Sequence, residues 1–386
     1  MNAQQWLARL IGFDTTSRNS NLELIEDLRL WLKKNQIDSY VISDTAEPKA
    51  NLLATLPAKN GNTDGGIILS AHTDVVPVDG QWWDSDPFIA FEQDGRIYGR
   101  GAADMKGFIA VLLALIPKFK QLELLKPLHF AFSFDEEVGC LGLPLLLAQL
   151  QQMKIRPEAC LVGEPTNMRP IVGYKGRQVY HCQIKGFATH SSLTNRSCNA
   201  IEYASQLISY ISGIAKHLKE KGPFDYDFDV PFTTISINII SGGNAPNVTP
   251  GSCEFIFDVR YLPGFPTENF SSQIENYIKK RLLPKMQAQY SEAAIYMNLI
   301  SNSPGFSVSE DATITQLMRT ITAVKERLKV SYSTEAALFQ NARIPTVICG
   351  PGSIEQAHGA NEFVTVEQLK LCEKVISNLV YLFCQK

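Results

Sequence analysis

The sequence has neither an excess of charge of one sign nor a long hydrophobic run, and these absences exclude two classes of protein. Its 36 Lys and Arg nearly balance 39 Asp and Glu, for a formal net charge of -3. We expect no nucleic-acid partner, because a phosphate backbone is bound by a concentrated basic face. The apolar run Leu141–Leu150 is interrupted by Gly142, Pro144 and Gln149. It therefore predicts a buried helix, and we expect no membrane partner.

Paired cysteines and a secretory signal are also missing. The eight cysteines form no C-x-x-C pair, and a chain of 386 residues can bury a core without disulfides. Met1–Leu10 lacks a basic start followed by an apolar run and a small-residue cleavage site, so we expect no secretory signal. These features predict reduced core cysteines and a cytoplasmic location.

The order of sequence patterns predicts an α/β fold with two domains. Up to about Arg177, short β-rich runs alternate with helical patterns, as in a central, mostly parallel sheet flanked by helices. The following segment has the order strand, helix, two strands, helix and strand, after which the α/β pattern returns. We predict a first domain formed by 1–177 and 302–386, interrupted by an inserted α+β domain formed by 178–301.

Polar residues follow three predicted central strands. These strands are Ile67–Ala71, Leu128–Phe134 and Ala159–Val162. The residues that follow them include His72 and Asp74, then Glu136 and Glu137, and finally Glu164. Ligands of open α/β sheets bind at the carboxyl ends of the strands, so this placement indicates a site.

Histidine is scarce, with six residues, so each can be weighed separately. His129 lies within an apolar strand, His181 alternates with hydrophobic residues, and His217 lies on a Lys-rich helix. A structural role is expected for these three. His72 differs, because it forms an H-x-D pair with Asp74. In such a pair one imidazole nitrogen can face a metal while the nearby carboxylate fixes the orientation of the ring.

The remaining candidates leave two interpretations open when each is taken alone. Asp104 lies in the segment Gly99–Gly107, at the start of an apolar helix, where an acidic residue is most often a helix N-cap. The adjacent Glu136 and Glu137 would also suit a solvated loop. His358 follows the glycine-rich turn 350–353.

Taken together, these residues indicate a pair of metal ions. Two imidazoles and three carboxylates suit zinc or another borderline divalent metal: His72, Asp104, Glu137, Glu164 and His358. A single catalytic metal site would need fewer than these five protein ligands. If Asp104 bridges, each of two metals has three protein ligands and a position for water, as a hydrolytic pair roughly 3.5 to 4 Å apart requires. Glu136 is then left as the general base.

The order of these motifs resembles that of the M20 zinc peptidases and amidohydrolases, over nearly the whole chain. The matching segments are Ser70–Asp74, Gly99–Gly107, Asp135–Glu137, Gly163–Pro165 and His358. The resemblance implies one metal on His72, Asp104 and Glu164 and another on Asp104, Glu137 and His358. It also implies that Asp74 orients His72 and that Glu136 is the base.

The resemblance also implies an activity. Segments 333–336 and 350–358 are most similar to the family members that hydrolyse N2-acetyl-L-ornithine to L-ornithine and acetate in arginine biosynthesis. Desuccinylation of succinyl-diaminopimelate, aminoacylase activity and dipeptidase activity are the alternatives within the family. Zinc is the metal implied, and cobalt or manganese can share such ligands.

For the insertion, the resemblance implies a lid and dimerisation domain, and hence a homodimer. His190, in the segment Gly186–Ser192, resembles the lid histidine that donates to the substrate carbonyl oxygen from the partner subunit. Asn247 and Arg260 are expected to bind the substrate carboxylate, and Glu335 is a further candidate for substrate contact. For Arg260, a structural ion pair is an equal alternative.

Two rival classes of function are less well supported. A catalytically inactive relative that only binds metal or small peptides is disfavoured, because the base and the ligands are all present. A serine or cysteine hydrolase is disfavoured because the sequence has no Gly-x-Ser-x-Gly motif and no recognisable Cys–His nucleophile motif.

Overall fold

The computed structural model describes residues 1–385 of the chain. Sixteen strands lie within these residues. In chain order they are β1 (Ser39–Ser43), β2 (Ala50–Leu56), β3 (Ile67–His72), β4 (Phe91–Gln93), β5 (Arg96–Tyr98), β6 (Leu128–Ser133), β7 (Ala159–Pro165), β8 (Ile171–Tyr174), β9 (Gly176–Lys185), β10 (Thr234–Gly242), β11 (Ser252–Tyr261), β12 (Ala294–Ser303), β13 (Phe306–Ser307), β14 (Leu328–Val330), β15 (Thr346–Gly350) and β16 (Phe363–Thr365).

Ten α-helices accompany the strands in the described part of the chain. They are α1 (Ala3–Ile11), α2 (Leu22–Lys34), α3 (Lys106–Phe119), α4 (Leu143–Gln152), α5 (Ala200–Lys221), α6 (Thr267–Tyr277), α7 (Leu283–Gln289), α8 (Thr313–Thr322), α9 (Ala336–Asn341) and α10 (Val366–Val380). Within residues 1–385, no helix combines the length and the apolar character that crossing a membrane requires.

The chain divides into two compact units. The first unit comprises Met1–Val172, Ser307–Lys329 and the segment from Thr334 onward, and the second unit comprises Gly173–Phe306 and Val330–Ser333. The second unit therefore interrupts the first in sequence.

The main sheet of the first unit is mixed, with parallel strands at its centre. Its order is β1-β2-β6-β3-β7-β15-β8-β13, and β14 pairs with β8. Strand β3 runs parallel to both β6 and β7, and β15 runs parallel to β7. Strands β1 and β2 add an antiparallel edge. The predicted α/β fold with a central, mostly parallel sheet flanked by helices is confirmed.

The centre of this sheet is buried because its strands are almost continuously apolar. Every residue of β3, β6 and β7 is buried, as expected for strands covered on both faces. Helix α3 is also buried along most of its length and contacts α1 and α10. Helix α4 differs from the predicted buried helix: Leu143, Leu146 and Leu150 are buried, whereas Leu145 is exposed, so only one face packs on the core.

The second unit is built on a four-stranded antiparallel sheet of order β10-β11-β9-β12. Side chains from one face of this sheet pack with side chains of α5 and α6, and the core includes Cys182, Phe255, Phe257, Leu207 and Ile274. Inward-facing residues alternate along β9 and β11, which is the pattern of strands covered on one side. The predicted α+β character of the insertion is confirmed.

Candidate metal centre

Three neighbouring parallel strands bring polar residues to one edge of the main sheet. Strand β3 ends at His72, and β6, on one side of it, ends just before the acidic segment 135–137. Strand β7, on the other side of β3, has Glu164 as its penultimate residue. Because these strands share one direction, their carboxyl ends meet at the same edge.

The carboxylate of Asp104 lies between two imidazoles. Its Oδ1 is 2.9 Å from Nε2 of His72, and its Oδ2 is 3.2 Å from Nε2 of His358. Asp104 precedes α3, but the cap position of that helix is Met105 and no side chain caps it. The two carboxylate oxygens therefore face different histidines, and the helix-cap interpretation does not apply.

Two further carboxylates complete two groups around Asp104. Oε1 of Glu137 lies 3.0 Å from Nε2 of His358, and Oε1 of Glu164 lies 3.8 Å from Nε2 of His72. These contacts bring the five predicted side chains together, with Asp104 next to both histidines. They come from five separate segments of the first unit.

The donor atoms of this cluster suit divalent cations. Ligand atoms of His72, Asp104 and Glu137 lie within 4.8 Å of one another, and so do those of His72, Glu136 and Glu164. Imidazole nitrogens and carboxylate oxygens are ligands that zinc and similar metals accept. The residues therefore fit a metal site. Because Glu136 belongs to the second triplet, the geometry allows it to act as a ligand as well as a base.

The charges of the cluster also favour cation binding. Burial, together with the nearby Asp104 carboxylate, raises the pKa of Glu137 and the pKa of Glu164. Hydrogen bonds with Asp104 and Glu137 raise the pKa of His358 to about 10. The side chains alone therefore hold protons tightly, because protons reduce the repulsion among crowded carboxylates. Divalent cations at the same place relieve that repulsion in the same way.

Glu136 lies beside the ligands and is only partly exposed. Burial raises the pKa of the Glu136 carboxyl to about 8 in the protein alone. Sγ of Cys140 lies 3.5 Å from Oε1 of Glu136. The position of Cys140 carries no sequence signal, because a single cysteine in a loop belongs to no pattern. A carboxyl whose pKa lies near neutral pH is suited to accept and return a proton.

Asp74 holds His72 mainly through its main chain. Nδ1 of His72 lies 2.9 Å from the backbone oxygen of Asp74 and 3.5 Å from the carboxylate Oδ1. A carbonyl oxygen only accepts, so Nδ1 carries the hydrogen and Nε2 keeps a lone pair for a metal. The Asp74 carboxylate accepts hydrogen bonds from the hydroxyl of Ser17 at 2.7 Å and from the backbone N–H of Glu136 at 3.0 Å.

Glu335 lies in the interior of the first unit. It is 0% exposed, and its carboxylate accepts hydrogen bonds from the hydroxyl groups of Ser70 and Ser133. These serines belong to β3 and β6, close to the ends of both strands. These hydrogen bonds give the buried Glu335 carboxylate partners within the protein, and contact between Glu335 and the substrate stays a prediction.

A buried carboxylate that sequence analysis missed lies behind Asp104. Glu362 accepts the backbone N–H of Asp104 at 3.0 Å and pairs with the guanidinium of Arg100 at 2.8 Å. Glu362 and Asp104 are 258 residues apart in sequence. A single sequence gives no signal for such a contact, since nothing in the local pattern shows which main-chain groups a glutamate will meet.

Two predicted residues lie close together in the second unit. The exposed side chain of His190 has its Nδ1 2.8 Å from the hydroxyl oxygen of Ser192. The next residue, Ser191, donates its backbone N–H to the backbone oxygen of Asn247 at 2.9 Å. The segments that carry His190 and Asn247 are therefore neighbours, and both side chains are available to a ligand.

Arg260 has partners within the second unit. Its Nη1 donates to the backbone oxygen of Ser331 at 3.1 Å, and its Nε lies 3.5 Å from a carboxylate oxygen of Asp258. The side chain of Arg260 is 42% exposed. These contacts agree with the structural ion pair that was the alternative for this residue, and substrate binding by Arg260 stays a prediction.

Of the other three histidines, His129 and His181 have side-chain partners and His217 is exposed. Both ring nitrogens of His129 are hydrogen-bonded inside the first unit. Nε2 of His181 pairs with Glu254 at 3.0 Å, and His217 is exposed on α5. These contacts involve none of the predicted metal ligands.

Comparison with known proteins points to one family. The family model for peptidase family M20/M25/M40 matches residues 68–382. An acetylornithine deacetylase from Pasteurella multocida (strain Pm70) is 34% identical over 366 residues, which cover 95% of this chain and 92% of the relative. An acetylornithine deacetylase from Photorhabdus laumondii is 33% identical over 375 residues, which cover 96% and 93%.

Solved structures share the fold at lower identity. An aminopeptidase PepT from Bacillus cereus superposes with a TM-score of 0.75 at 19% identity, covering 98% of this chain and 97% of that one. The YXEP protein of Bacillus subtilis, described as a dinuclear metal binding peptidase, superposes with a TM-score of 0.69 at 17% identity, covering 99% and 98%. Because the family model also spans most of the sequence, the chain belongs to peptidase family M20, a family of metal-dependent hydrolases.

Proposed function

We propose that the chain is a two-metal amidohydrolase that converts N2-acetyl-L-ornithine and water to L-ornithine and acetate, a step of arginine biosynthesis. The observation that carries this proposal is the similarity to acetylornithine deacetylases, at about one third identity, over nearly the full length of both chains. The complete ligand set in the first unit supports a catalytic role over a purely binding one. The eight free cysteines support a reducing, cytoplasmic location.

For the metals, we propose that His72, Asp104 and Glu164 hold one cation and that Asp104, Glu137 and His358 hold the other. Zinc is the expected metal, and cobalt or manganese are alternatives. The placement of the two Asp104 oxygens against different histidines supports a bridging role. When bound, the cations supply Lewis acidity and lower the pKa of water at the site.

The side chains of the cluster then have distinct roles in the reaction. Glu136 removes a proton from the attacking water, whose oxygen forms a bond to the acetyl carbonyl carbon. The same carboxyl returns the proton to the substrate nitrogen as the C–N bond breaks, and acetate and the free amine leave. His190 donates a hydrogen bond to the carbonyl oxygen as negative charge develops there. Asn247 and Arg260 bind the carboxylate of the amino acid.

We further propose a homodimer in which His190 of the partner subunit completes the site. Exposed apolar side chains on the two edge strands of the second unit support an interaction surface there. On β10 and β12 these side chains are 47% to 58% exposed: Ile239, Ile240, Tyr296, Leu299 and Ile300.

A panel of substrates tests the proposed reaction. The purified protein, loaded with zinc, is assayed for release of free amine from N2-acetyl-L-ornithine, N-acetyl-L-methionine, N-succinyl-L,L-diaminopimelate and simple dipeptides. We expect kcat/KM to be highest for N2-acetyl-L-ornithine and activity to disappear when a chelator removes the metals. Re-addition of zinc should restore activity, which separates metal loss from irreversible unfolding.

The outcomes separate the alternatives. A preference for the succinyl substrate would assign the chain to the desuccinylase group, and a preference for dipeptides would make it a peptidase. Absence of turnover on every substrate, in protein that retains two metals, would favour a binding protein instead. The Glu136→Gln variant provides the blank, because it keeps the shape of the site while removing the proposed proton acceptor.

A further inference from the structure

The carboxylate of Glu362 lies inside a turn of main-chain N–H groups. It accepts the backbone N–H of Gly101 at 3.0 Å, that of Ala103 at 2.9 Å and that of Asp104 at 3.0 Å. Glu362 is 1% exposed, so these bonds are shielded from water. Successive N–H groups that converge in this way form a binding site for an anion, and here the anion is a side chain of the same chain.

Strand pairing brings Glu362 to this turn. Strand β16 pairs with β5, with Phe363 opposite Tyr98, and the residues next to this pair are Glu362 and Gly99. The backbone N–H of Gly99 donates to the backbone oxygen of Glu362 at 2.9 Å. Gly101 adopts a φ of +81°, which glycine reaches without strain and which turns the chain around the carboxylate.

Arg100 links the same carboxylate to the segment that carries His358. Its Nη1 donates to Glu362 at 2.8 Å and to the backbone oxygen of Gly359 at 3.2 Å. Its Nη2 donates to the side-chain oxygen of Gln81, and the side-chain nitrogen of Gln81 donates to the backbone oxygen of His358 at 2.7 Å. One network therefore fixes the main chain of two predicted ligands, Asp104 and His358.

An ion pair between Arg100 and Glu362 alone would not explain the three main-chain hydrogen bonds that Glu362 accepts. A buried Arg–Glu pair contributes little net stability on its own. In this network, however, three of the bonds to Glu362 come from the turn that carries Asp104, and one of them comes from Asp104 itself. Metal–oxygen distances of about 2.0 to 2.2 Å leave little tolerance for movement of a bridging carboxylate.

From these contacts we propose that Glu362 is a positioning residue that holds Asp104 at the place where it bridges the two cations, and that Arg100 couples this position to His358. The proposal rests on the proposed function in one respect, the bridging role of Asp104. Glu362 acts through the main chain and is not itself a ligand. Its removal should therefore weaken metal binding while leaving all five ligand side chains in the chain.

Measurement of zinc affinity tests whether Glu362 positions Asp104. The full-length protein is stripped with a chelator and titrated with Zn²⁺ against a competing chromophoric chelator, and bound zinc is counted by elemental analysis. We expect Glu362→Gln to weaken zinc binding by about 10- to 100-fold, as loss of residues behind metal ligands does. Glu362→Ala should weaken it further, because Gln keeps one oxygen acceptor for the N–H groups and Ala keeps none.

Glu310→Gln is the control for loss of an Arg–carboxylate pair in the first unit. Its carboxylate is hydrogen-bonded by Arg319 at 2.7 and 2.8 Å, and Glu310 is not one of the five predicted ligands. We expect Glu310→Gln to bind zinc like the wild type, even where its Tm falls as far as that of Glu362→Gln. If Glu362→Ala does not fold, Glu362→Gln alone decides the comparison.

The possible results distinguish this inference from the proposed function. Wild-type protein that binds fewer than two zinc ions would overturn both. Wild-type protein with two ions and a Glu362→Gln variant of equal affinity would overturn only the positioning role. Equal weakening in Glu310→Gln and Glu362→Gln would also overturn it, because the effect would then follow general stability and not the Asp104 turn.

Discussion

The backbone N–H of Glu136 donates a hydrogen bond to the carboxylate Oδ1 of Asp74 at 3.0 Å. The other oxygen of the same carboxylate accepts the backbone N–H of Glu137 at 3.3 Å. The backbone oxygen of Asp74 also accepts the N–H of His72 Nδ1 at 2.9 Å, so Asp74 contacts two segments that carry predicted ligands. Asp74 therefore fixes the proposed base and one predicted ligand of each proposed metal relative to one another.

We predict that Asp74→Asn lowers both metal affinity and kcat. An amide has one acceptor oxygen, so one of the two N–H groups from the 136–137 segment is left without its partner. Loss of such support for metal ligands typically lowers affinity or activity by about 10- to 100-fold. Zinc titration and steady-state kinetics on N2-acetyl-L-ornithine measure the two effects.

Ser17→Ala is the matched control for this substitution. The Ser17 hydroxyl donates to the Asp74 carboxylate at 2.7 Å, so its loss leaves the acceptors for both N–H groups in place. We expect a smaller effect than that of Asp74→Asn. Wild-type zinc affinity and turnover in Asp74→Asn would contradict the role given to this carboxylate.

A second prediction separates the two adjacent glutamates. Glu136→Gln should retain two zinc ions and lower kcat by about 10²- to 10⁴-fold, the typical loss for a general base. Glu137→Gln should lose metal, because its carboxylate lies 3.0 Å from His358 within one ligand group. Elemental analysis and kcat, measured on the same preparations, distinguish the two variants.

This comparison also tests the alternative ligand role of Glu136, whose oxygen lies within 4.8 Å of ligand atoms of His72 and Glu164. If Glu136→Gln loses zinc as readily as Glu137→Gln does, Glu136 is a ligand and not the proton acceptor. If it retains near-normal turnover, Glu136 has neither role. The KM of the Glu136→Gln variant should stay close to that of the wild type, because the carboxyl acts on water and not on substrate binding.

The five ligands were predicted from their combination and from the order of the family motifs, because most of them are ambiguous when taken alone. His72 and Glu164 lie at the ends of buried strands, and Asp104 lies among glycines before an apolar helix. Parallel strands that end at one edge of a sheet bring such residues together whatever their separation in sequence. Fold class followed from the same alternation of strand and helix patterns.

Other parts of the site depend on contacts that a single sequence does not encode locally. Glu335 lies in segment 333–336, which resembles a family motif, and its hydrogen bonds with Ser70 and Ser133 could not be predicted from that motif. Glu362 carries no motif signal, and its partners are main-chain N–H groups near residue 100. Side-chain direction decides both cases, and it is set by tertiary packing.

A third prediction concerns His190. If His190 acts on the substrate of the neighbouring subunit, mixing inactive His190→Ala with inactive Glu136→Gln should restore activity in heterodimers that carry one intact site. The maximum recovery is about one quarter of wild-type activity, because half of the dimers are mixed and each has one working site. Subunit exchange is verified by mass spectrometry of differently tagged chains.

The matched control for this experiment mixes Glu136→Gln with Glu137→Gln. Both substitutions lie in the first unit of the chain, so no combination of subunits provides an intact site. Recovery in this mixture would indicate contamination or refolding. No recovery in verified heterodimers of His190→Ala and Glu136→Gln would show that His190 does not act in trans.

A buried neutral histidine makes the stability of the first unit depend on pH. Nε2 of His129 lies 3.0 Å from the backbone oxygen of Gly65, and Nδ1 lies 2.9 Å from the hydroxyl of Thr55. Since the carbonyl only accepts, Nε2 carries the hydrogen and Nδ1 accepts from Thr55. Burial lowers the pKa of His129 from 6.5 to about 4, because a charged ring has no solvation there.

We therefore predict that the neutral His129 stabilises the fold fully above pH 6.5 and that this contribution is lost as pH falls towards about 4. The unfolded chain binds a proton in this range and the folded chain does not, so the free energy of unfolding falls by about 3 kcal/mol. His129→Gln should be less stable than the wild type at pH 7 and should lose about 3 kcal/mol less between pH 7 and pH 4. Urea unfolding of both proteins across this range measures the difference, with His217→Gln, at an exposed position of α5, as the control. Parallel pH dependence in the wild type and in His129→Gln would mean that His129 titrates alike in the folded and unfolded states, which would contradict the prediction.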